Sequence, residues 1–248
     1  MAASSKTIVT GAAQGLGRAV ALRLAVPGMH VAVWDTQAGG AEETARLCRE
    51  RGAMSRAWTV DVGSEDQVEG AVADFMQAWG PPDGLVANAG IFPRSRALEM
   101  RLSEWDRVLR VNLTGTFLCA RTAARAMMQG GGGAIVTMAS GRALAGAANG
   151  AHYSATKGGI IALTKSLALD WAAHGIRVNC VIPGISDTAQ PRAEMSDEQL
   201  HAAGARIPLG RIGQPEDIAG VVAFLLGSDA AYMTGQSVAV NGGAIMIP

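Results

Sequence analysis

Short apolar runs alternate along this chain with longer stretches whose apolar residues recur at helical spacing. The runs are Thr7–Thr10, His30–Asp35, Met54–Val60, Leu85–Ala87, Ala134–Ala139, Ile176–Ile182 and Ser237–Val240. Ala134-Ile135-Val136-Thr137-Met138-Ala139 is apolar almost throughout and reads as a buried strand. Between the runs the pattern predicts helices: an Ala/Leu-rich stretch after Gly17 that Pro27-Gly28 stops, then Ala41–Arg51, Ser64–Trp79, Ser103–Arg110, Leu113–Met128, Tyr153–Ala173 and Pro215–Leu226. Ser64 followed by Gln67 predicts a capping box, and His174-Gly175 a helix end with a cation at the dipole's negative pole. Residues 185–208 are polar, contain Pro191 and lack strong periodicity; they are expected to form a mobile flap. Strands alternating with helices of this length imply parallel pairing by right-handed crossovers. With no linker and no low-complexity tract, the whole chain, 1–248, is predicted to be one doubly wound, Rossmann-type α/β domain.

Composition narrows the class. Hydrophobic residues make up 49% and aromatics only 4%, with 32 glycines, so Ala, Val, Leu and Ile must build the core. Net charge is zero, which argues against a nucleic-acid surface or an anionic-membrane patch. Cys48, Cys119 and Cys180 are odd in number and far apart, and the four histidines are scattered; neither a disulfide frame nor a metal site is expected. No run approaches the ~18 apolar residues of a membrane span, and the N-terminus leads at once into a strand, leaving no room for a signal peptide's apolar core. A cytoplasmic protein is expected.

The polar exceptions to the apolar pattern carry the chemistry. Thr10-Gly11 opens a Gly-x-x-x-Gly-x-Gly loop (Gly11, Gly15, Gly17) between strand and helix, where a tight turn and free helix-end amides suit a pyrophosphate. Asp35 ends the second strand about 20 residues on, placed to hold adenosine ribose hydroxyls and to repel a 2′-phosphate. Gln14 and Thr36 offer no cation for such a phosphate, so NAD is expected rather than NADP. Asp61, Asn88, Ser140 and Pro183-Gly184 also fall at carboxyl ends of strands, the edge where open α/β sheets bind ligands. Tyr153 and Lys157 stand four residues apart on one helix, so the ammonium is expected beside the phenol. There it would lower the phenol's pKa toward a working acid–base value. Ser140 is expected to supply a hydroxyl from the strand end facing them.

Taken together, Thr10-Gly11-x-x-x-Gly15-x-Gly17, Asp61, Asn88-Ala89-Gly90, Asn112, Ser140, Tyr153-x-x-x-Lys157 and Pro183-Gly184 resemble the short-chain dehydrogenase/reductase family, in its compact single-domain form, from end to end. The resemblance implies a seven-stranded sheet, a nicotinamide cofactor, and a dimer or tetramer built through the long helices. It implies that Tyr153 exchanges the substrate proton, that Ser140 holds the reacting oxygen, and that Lys157 binds the nicotinamide ribose. Asn112 would hold a water linking Lys157 to solvent, and Thr188 the carboxamide; Ser186 stands where the family usually has valine. The cofactor contacts so expected are Gly11, Gln14, Gly15, Leu16, Gly17, Asp35, Asp61, Val62, Asn88, Ala89, Gly90, Tyr153, Lys157, Pro183, Gly184, Ile185, Ser186 and Thr188.

The substrate pocket is expected to be walled by Ile91, Phe92, Pro93, Arg142, Leu144, His152, Ile185 and Met195. A substrate ring would stack on Phe92. Arg142 would favour a carboxylate or phenolate if turned inward and would be a solvated charge if turned outward. The leading expectation is NAD-dependent exchange between small secondary alcohols and ketones, by a homotetramer because Ala162, Leu163, Leu167, Leu169 and Trp171 make the long helix broadly apolar. Two alternatives stand beside it: an NADPH-dependent 3-oxoacyl thioester reductase and a non-catalytic dinucleotide-binding regulator.

Overall fold

Adjacent residues of the central strands go to opposite layers. Ile8 and Val9 are both fully buried, yet Ile8 packs with Trp34, Phe75 and Leu85, and Val9 with Val20, Val33 and Val86. That is the two-residue period of a strand covered on both faces. The computed structural model describes residues 5–246; the two ends of the expected domain, 1–4 and 247–248, lie outside the described residues. Seven strands, β1 (Lys6–Thr10), β2 (His30–Asp35), β3 (Met54–Thr59), β4 (Gly84–Ala87), β5 (Gly133–Met138), β6 (Ile176–Pro183) and β7 (Ser237–Val240), form one parallel sheet in the order β3-β2-β1-β4-β5-β6-β7.

The helices are α1 (Gly15–Leu24), α2 (Ala38–Glu50), α3 (Glu65–Trp79), α4 (Leu102–Leu109), α5 (Gly115–Gln129), α6 (Arg142–Ala145), α7 (Ala151–Trp171), α8 (Ala189–Arg192), α9 (Asp197–Ala205) and α10 (Pro215–Leu226). α1, α2 and α10 cover one face of the sheet, and α3, α5 and α7 the other. Fully buried side chains such as Phe75, Leu85 and Ile135 each contribute ~1.5–3 kcal/mol by leaving water. The chain lays β1 to β3 outward in one direction, then returns to place β4 against β1 (Ile8 beside Leu85) and continues the other way. The crossovers after β1 and β4 therefore diverge, leaving a crevice at the carboxyl ends of these two strands.

Three local expectations need correction. Ser64 makes no capping bond; Gln67 Oε1 instead accepts from the Asp61 amide at 2.8 Å, steadying the loop that ends at Asp61. A genuine box forms where none was predicted: Ser196 Oγ accepts from Gln199 N at 3.3 Å and Gln199 Oε1 from Ser196 N at 2.9 Å. It starts α9 within the expected flap, which is thus largely helical. Finally, α4 and α5 are joined by one π-helical turn, Arg110–Thr114, so Asn112 bulges a continuous rod rather than separating two helices.

Candidate active site

The cleft at the switch point begins with backbone geometry. Gly11 and Gly15 adopt φ of +64° and +56°, a left-handed conformation that costs glycine nothing and a Cβ residue about 1–2 kcal/mol. A Cβ on buried Gly17 would collide with the Gly11 carbonyl oxygen, so α1 can start this close to β1 only with glycine there. Gln14, at the N-cap, makes no side-chain capping bond. The first amides of α1 are left for a bound anion.

Gly11, Gln14, Gly15 and Leu16 line a cleft of about 450 Å³, with Asp35 at one wall and Tyr153 and Lys157 at another. Asp35 is held rigidly: Oδ2 accepts from Ala13 N at 2.9 Å and Oδ1 from Gln37 N at 3.0 Å. Arg18, the nearest cation along the loop, is committed to the Ala13 carbonyl and the Thr44 hydroxyl. Across the switch point, Asn88 Nδ2 donates to the Thr10 and Gly11 carbonyls, both at 3.0 Å. Thr10 Oγ1 accepts from Asn88 N and Ala89 N at the same distance. These bonds set the cleft's width. Asp61 and Val62 line it further out. Burial alone would raise the Asp61 pKa, but the Arg110 guanidinium at 3.0 Å and the Gly63 amide at 2.9 Å hold it below the usual range. The glycine cradle, the open helix end and the fixed carboxylate together suit a dinucleotide.

A second cavity of about 310 Å³ adjoins the first, and Leu16, Tyr153, Pro183 and Thr188 border both. Ser140 enters it from the end of β5 and Tyr153 from the first turn of α7. Phe92 stacks on Tyr153, with ring centroids 3.9 Å apart and planes 15° from parallel. The Arg94 guanidinium lies 4.1 Å over the same Phe92 ring. Two groups this near one centroid must occupy opposite faces, so Phe92 is sandwiched. Its ring therefore braces Tyr153 and offers no free face to a substrate, contrary to the sequence expectation.

The charge relation between Lys157 and Tyr153 is also corrected. Burial pushes the Tyr153 phenol above its ordinary pKa, and the Ser140 hydroxyl and the guanidiniums of Arg142 and Arg94 oppose this. Lys157 Nζ donates to the Met138 carbonyl at 2.7 Å and lies 5.6 Å from the Tyr153 ring centroid. Burial lowers the lysine itself to about 8. An i,i+4 spacing sets the helix face, but the tip of a long side chain follows its strongest acceptor.

Other expected contacts are redistributed. Gly184, Ile185 and Ser186, expected at the cofactor, line the second cavity and not the first, along with Met195 and Arg142. Asn112 is fully buried and lines neither cavity. Its amide clamps the Ile91 backbone, accepting from N at 2.8 Å and donating to O at 2.9 Å. His152 is also fully buried and walls no pocket: Nδ1 accepts from Tyr153 N at 2.8 Å, and Nε2 faces Glu104 at 3.3 Å, tying α7 to α4. Pro93 and Leu144 line neither cavity; Leu144 points to solvent from α6. The sequence reading missed Arg94, Gln190 and Glu194 in the second cavity, and Arg107 and Arg110 in the first. Arg94, Gln190, Glu194 and Arg110 stand within two residues of positions the sequence did single out, but none belongs to a motif that marks it as lining a site.

Comparison with known proteins agrees with this geometry. The family profile described as enoyl-(acyl carrier protein) reductase matches residues 11–244. The chain is 41% identical to cis-4-hydroxycyclohexanecarboxylate dehydrogenase of Sinomonas cyclohexanicum, over 95% of this chain and 94% of that one. It is 39% identical to (3R)-3-hydroxyacyl-CoA dehydrogenase of Rattus norvegicus, covering 98% and 97%. Identity is also 39% to the 3-oxoacyl-[acyl-carrier-protein] reductase FabG of Staphylococcus aureus, covering 99% and 100%. Among solved structures, a short-chain type dehydrogenase/reductase from Mycobacterium marinum superposes with a TM-score of 0.91 at 35% identity, covering 99% of this chain and 97% of that one.

Proposed function

This chain belongs to the short-chain dehydrogenase/reductase family, and we propose that within it the protein is an NAD-dependent dehydrogenase of small secondary alcohols. As an oxidoreductase of this family it takes a nicotinamide dinucleotide, which when bound accepts or returns the hydride. The observation that carries the choice of NAD is Asp35: a carboxylate on the cleft wall, fixed by two backbone amides, is poised to accept from ribose hydroxyls and to repel a 2′-phosphate.

The chain's own residues have the following roles in this reading. Ser140 donates to the carbinol or carbonyl oxygen in the second cavity. Tyr153 takes the hydroxyl proton during oxidation and returns it during reduction, contributing ~10²–10⁴ in rate. Phe92 holds the phenol's plane, and the Arg94 and Arg142 guanidiniums favour its ionised form. Lys157 lines the cleft where ribose hydroxyls would lie, and Asn112 positions the Gly90–Ile91 backbone against it. The non-catalytic regulator reading gives way, because the family is one of oxidoreductases and Ser140, Tyr153 and Lys157 converge between the two cavities.

A homotetramer through α5 and α7 is part of the proposal. Leu167 is buried within its own chain, but Leu169 is 81% exposed, and Phe117 and Met128 are each more than a third exposed. Among the described residues no helix is long and apolar enough to cross a membrane, and the three cysteines are free and buried, in keeping with a cytoplasmic setting. A second reading, exchange between 3-oxoacyl and 3-hydroxyacyl thioesters, draws support from the names of the rat and staphylococcal relatives. The deciding experiment follows absorbance of the reduced cofactor with free secondary alcohols against 3-hydroxyacyl thioesters, each with NAD and with NADP. Free alcohols with NAD should give the highest kcat/KM; a clear preference for NADP or for thioesters would overturn the proposal.

A further inference from the structure

The second cavity holds an unbalanced charge. Its formal charges are two guanidiniums, Arg94 and Arg142, and one carboxylate, Glu194. Arg94 is committed: its fork pairs with both Glu194 oxygens, Nε to Oε1 at 2.9 Å and Nη2 to Oε2, while its plane covers Phe92. Arg142 is not. Among the described residues its side chain makes no hydrogen bond and no ion pair, although its field reaches both the Tyr153 phenol and Glu194. It opens α6 only two residues past Ser140 and donates its own amide to Ser140 Oγ at 3.2 Å. The adjoining wall is apolar, formed by Pro183, Ile185, Met195 and Ile245. A volume of about 310 Å³ sits at the small end of the ~300–1,000 Å³ range of ligand pockets.

We infer that the substrate is a compact hydroxy acid whose carboxylate is received by Arg142, with Glu194 holding Arg94 out of that role. This rests on the alcohol dehydrogenase reading and deepens it. The carbinol end meets Ser140 and Tyr153, the hydrocarbon body fills the apolar wall, and the carboxylate takes the planar fork of the Arg142 guanidinium. A thioester carrying a nucleotide would supply the same negative charge from phosphates, so the test must separate the two sources.

Hydroxycyclohexanecarboxylates, their carboxamides and 3-hydroxybutyryl-CoA are compared for NADH production. Cyclohexanecarboxylate and its amide are titrated calorimetrically into the same protein. The acid should exceed the amide by roughly 10–100-fold, the effect of one hydrogen bond to a charged group, expressed mainly in KM. Arg142→Gln should collapse that preference in both assays, and Arg142→Lys should restore part of it. The inference is overturned if wild type treats acid and amide alike, if the preference survives Arg142→Gln, or if the CoA thioester is the best substrate. NADH from acid and amide equally would sink this inference and leave the dehydrogenase reading standing. Arg142-dependent binding of the acid without NADH from any alcohol would keep the anion site and sink the dehydrogenase reading.

Discussion

Replacing Lys157 by methionine should stabilise the protein while abolishing its turnover. In the fold, burial lowers the lysine from its ordinary 10.5 to about 8. At 1.36 kcal/mol per unit, keeping the charge at neutral pH costs roughly 3 kcal/mol. Methionine fills similar space without charge but forfeits the 2.7 Å bond to the Met138 carbonyl, a loss of about 1–2 kcal/mol. The net gain at pH 7 is about 1–2 kcal/mol, which for a chain of this length raises Tm by roughly 2–8 °C. The sign with pH follows from linkage. Between about 8 and 10.5 the unfolded lysine binds its proton and the folded one releases it, so the wild type gains stability as pH rises through that window. The gap should therefore be largest below pH 8 and close, or reverse, by pH 10.5. Thermal melts of cofactor-free protein at matched concentration, at pH 7 and pH 10, measure it. A variant less stable than wild type at pH 7, by an amount indifferent to pH, would refute the reasoning. A buried charge retained at a cost in stability is the trade-off expected of the role proposed for Lys157.

Tyr153→Phe should lower kcat by ~10²–10⁴ with cofactor binding retained. Because burial raises the phenol's pKa, wild-type oxidation should climb with pH as phenolate forms, and stopped-assay pH profiles should show that limb absent from the variant. Asp35→Ala should narrow the preference for NAD over NADP in kcat/KM; an unchanged ratio would separate Asp35 from cofactor choice. Leu169→Glu, which buries a charge if α7 is an interface, should split the proposed tetramer in light scattering at micromolar concentration. An unaltered mass would place the interface elsewhere.

The layers of this protein were legible in its residue pattern because burial has a period. Runs such as Leu85–Ala87 and Ala134–Ala139 show no polar face, so they must be covered on both sides, and the interruptions at Gly11, Asp35, Asn88 and Ser140 mark the one edge open to ligands. Glycine at 11, 15 and 17 announced the loop because a side chain would strain the left-handed turns at 11 and 15 and collide with the Gly11 carbonyl at 17. The tertiary structure alone decided what those groups touch. The Arg94–Glu194 pair joins elements 100 residues apart, and no spacing rule relates them. Phe92 reaches the Tyr153 ring from the loop after β4, turning an expected substrate platform into a brace. His152 carries the same local signature whether it lines a pocket or is buried against Glu104. Lys157 could be placed on its helix face from sequence, but its ammonium swings to the Met138 carbonyl because a buried cation takes the nearest strong acceptor, and that acceptor belongs to another strand. Periodicity encodes which side of an element leaves water; the partners of a polar tip depend on distances between elements that only the assembled sheet sets.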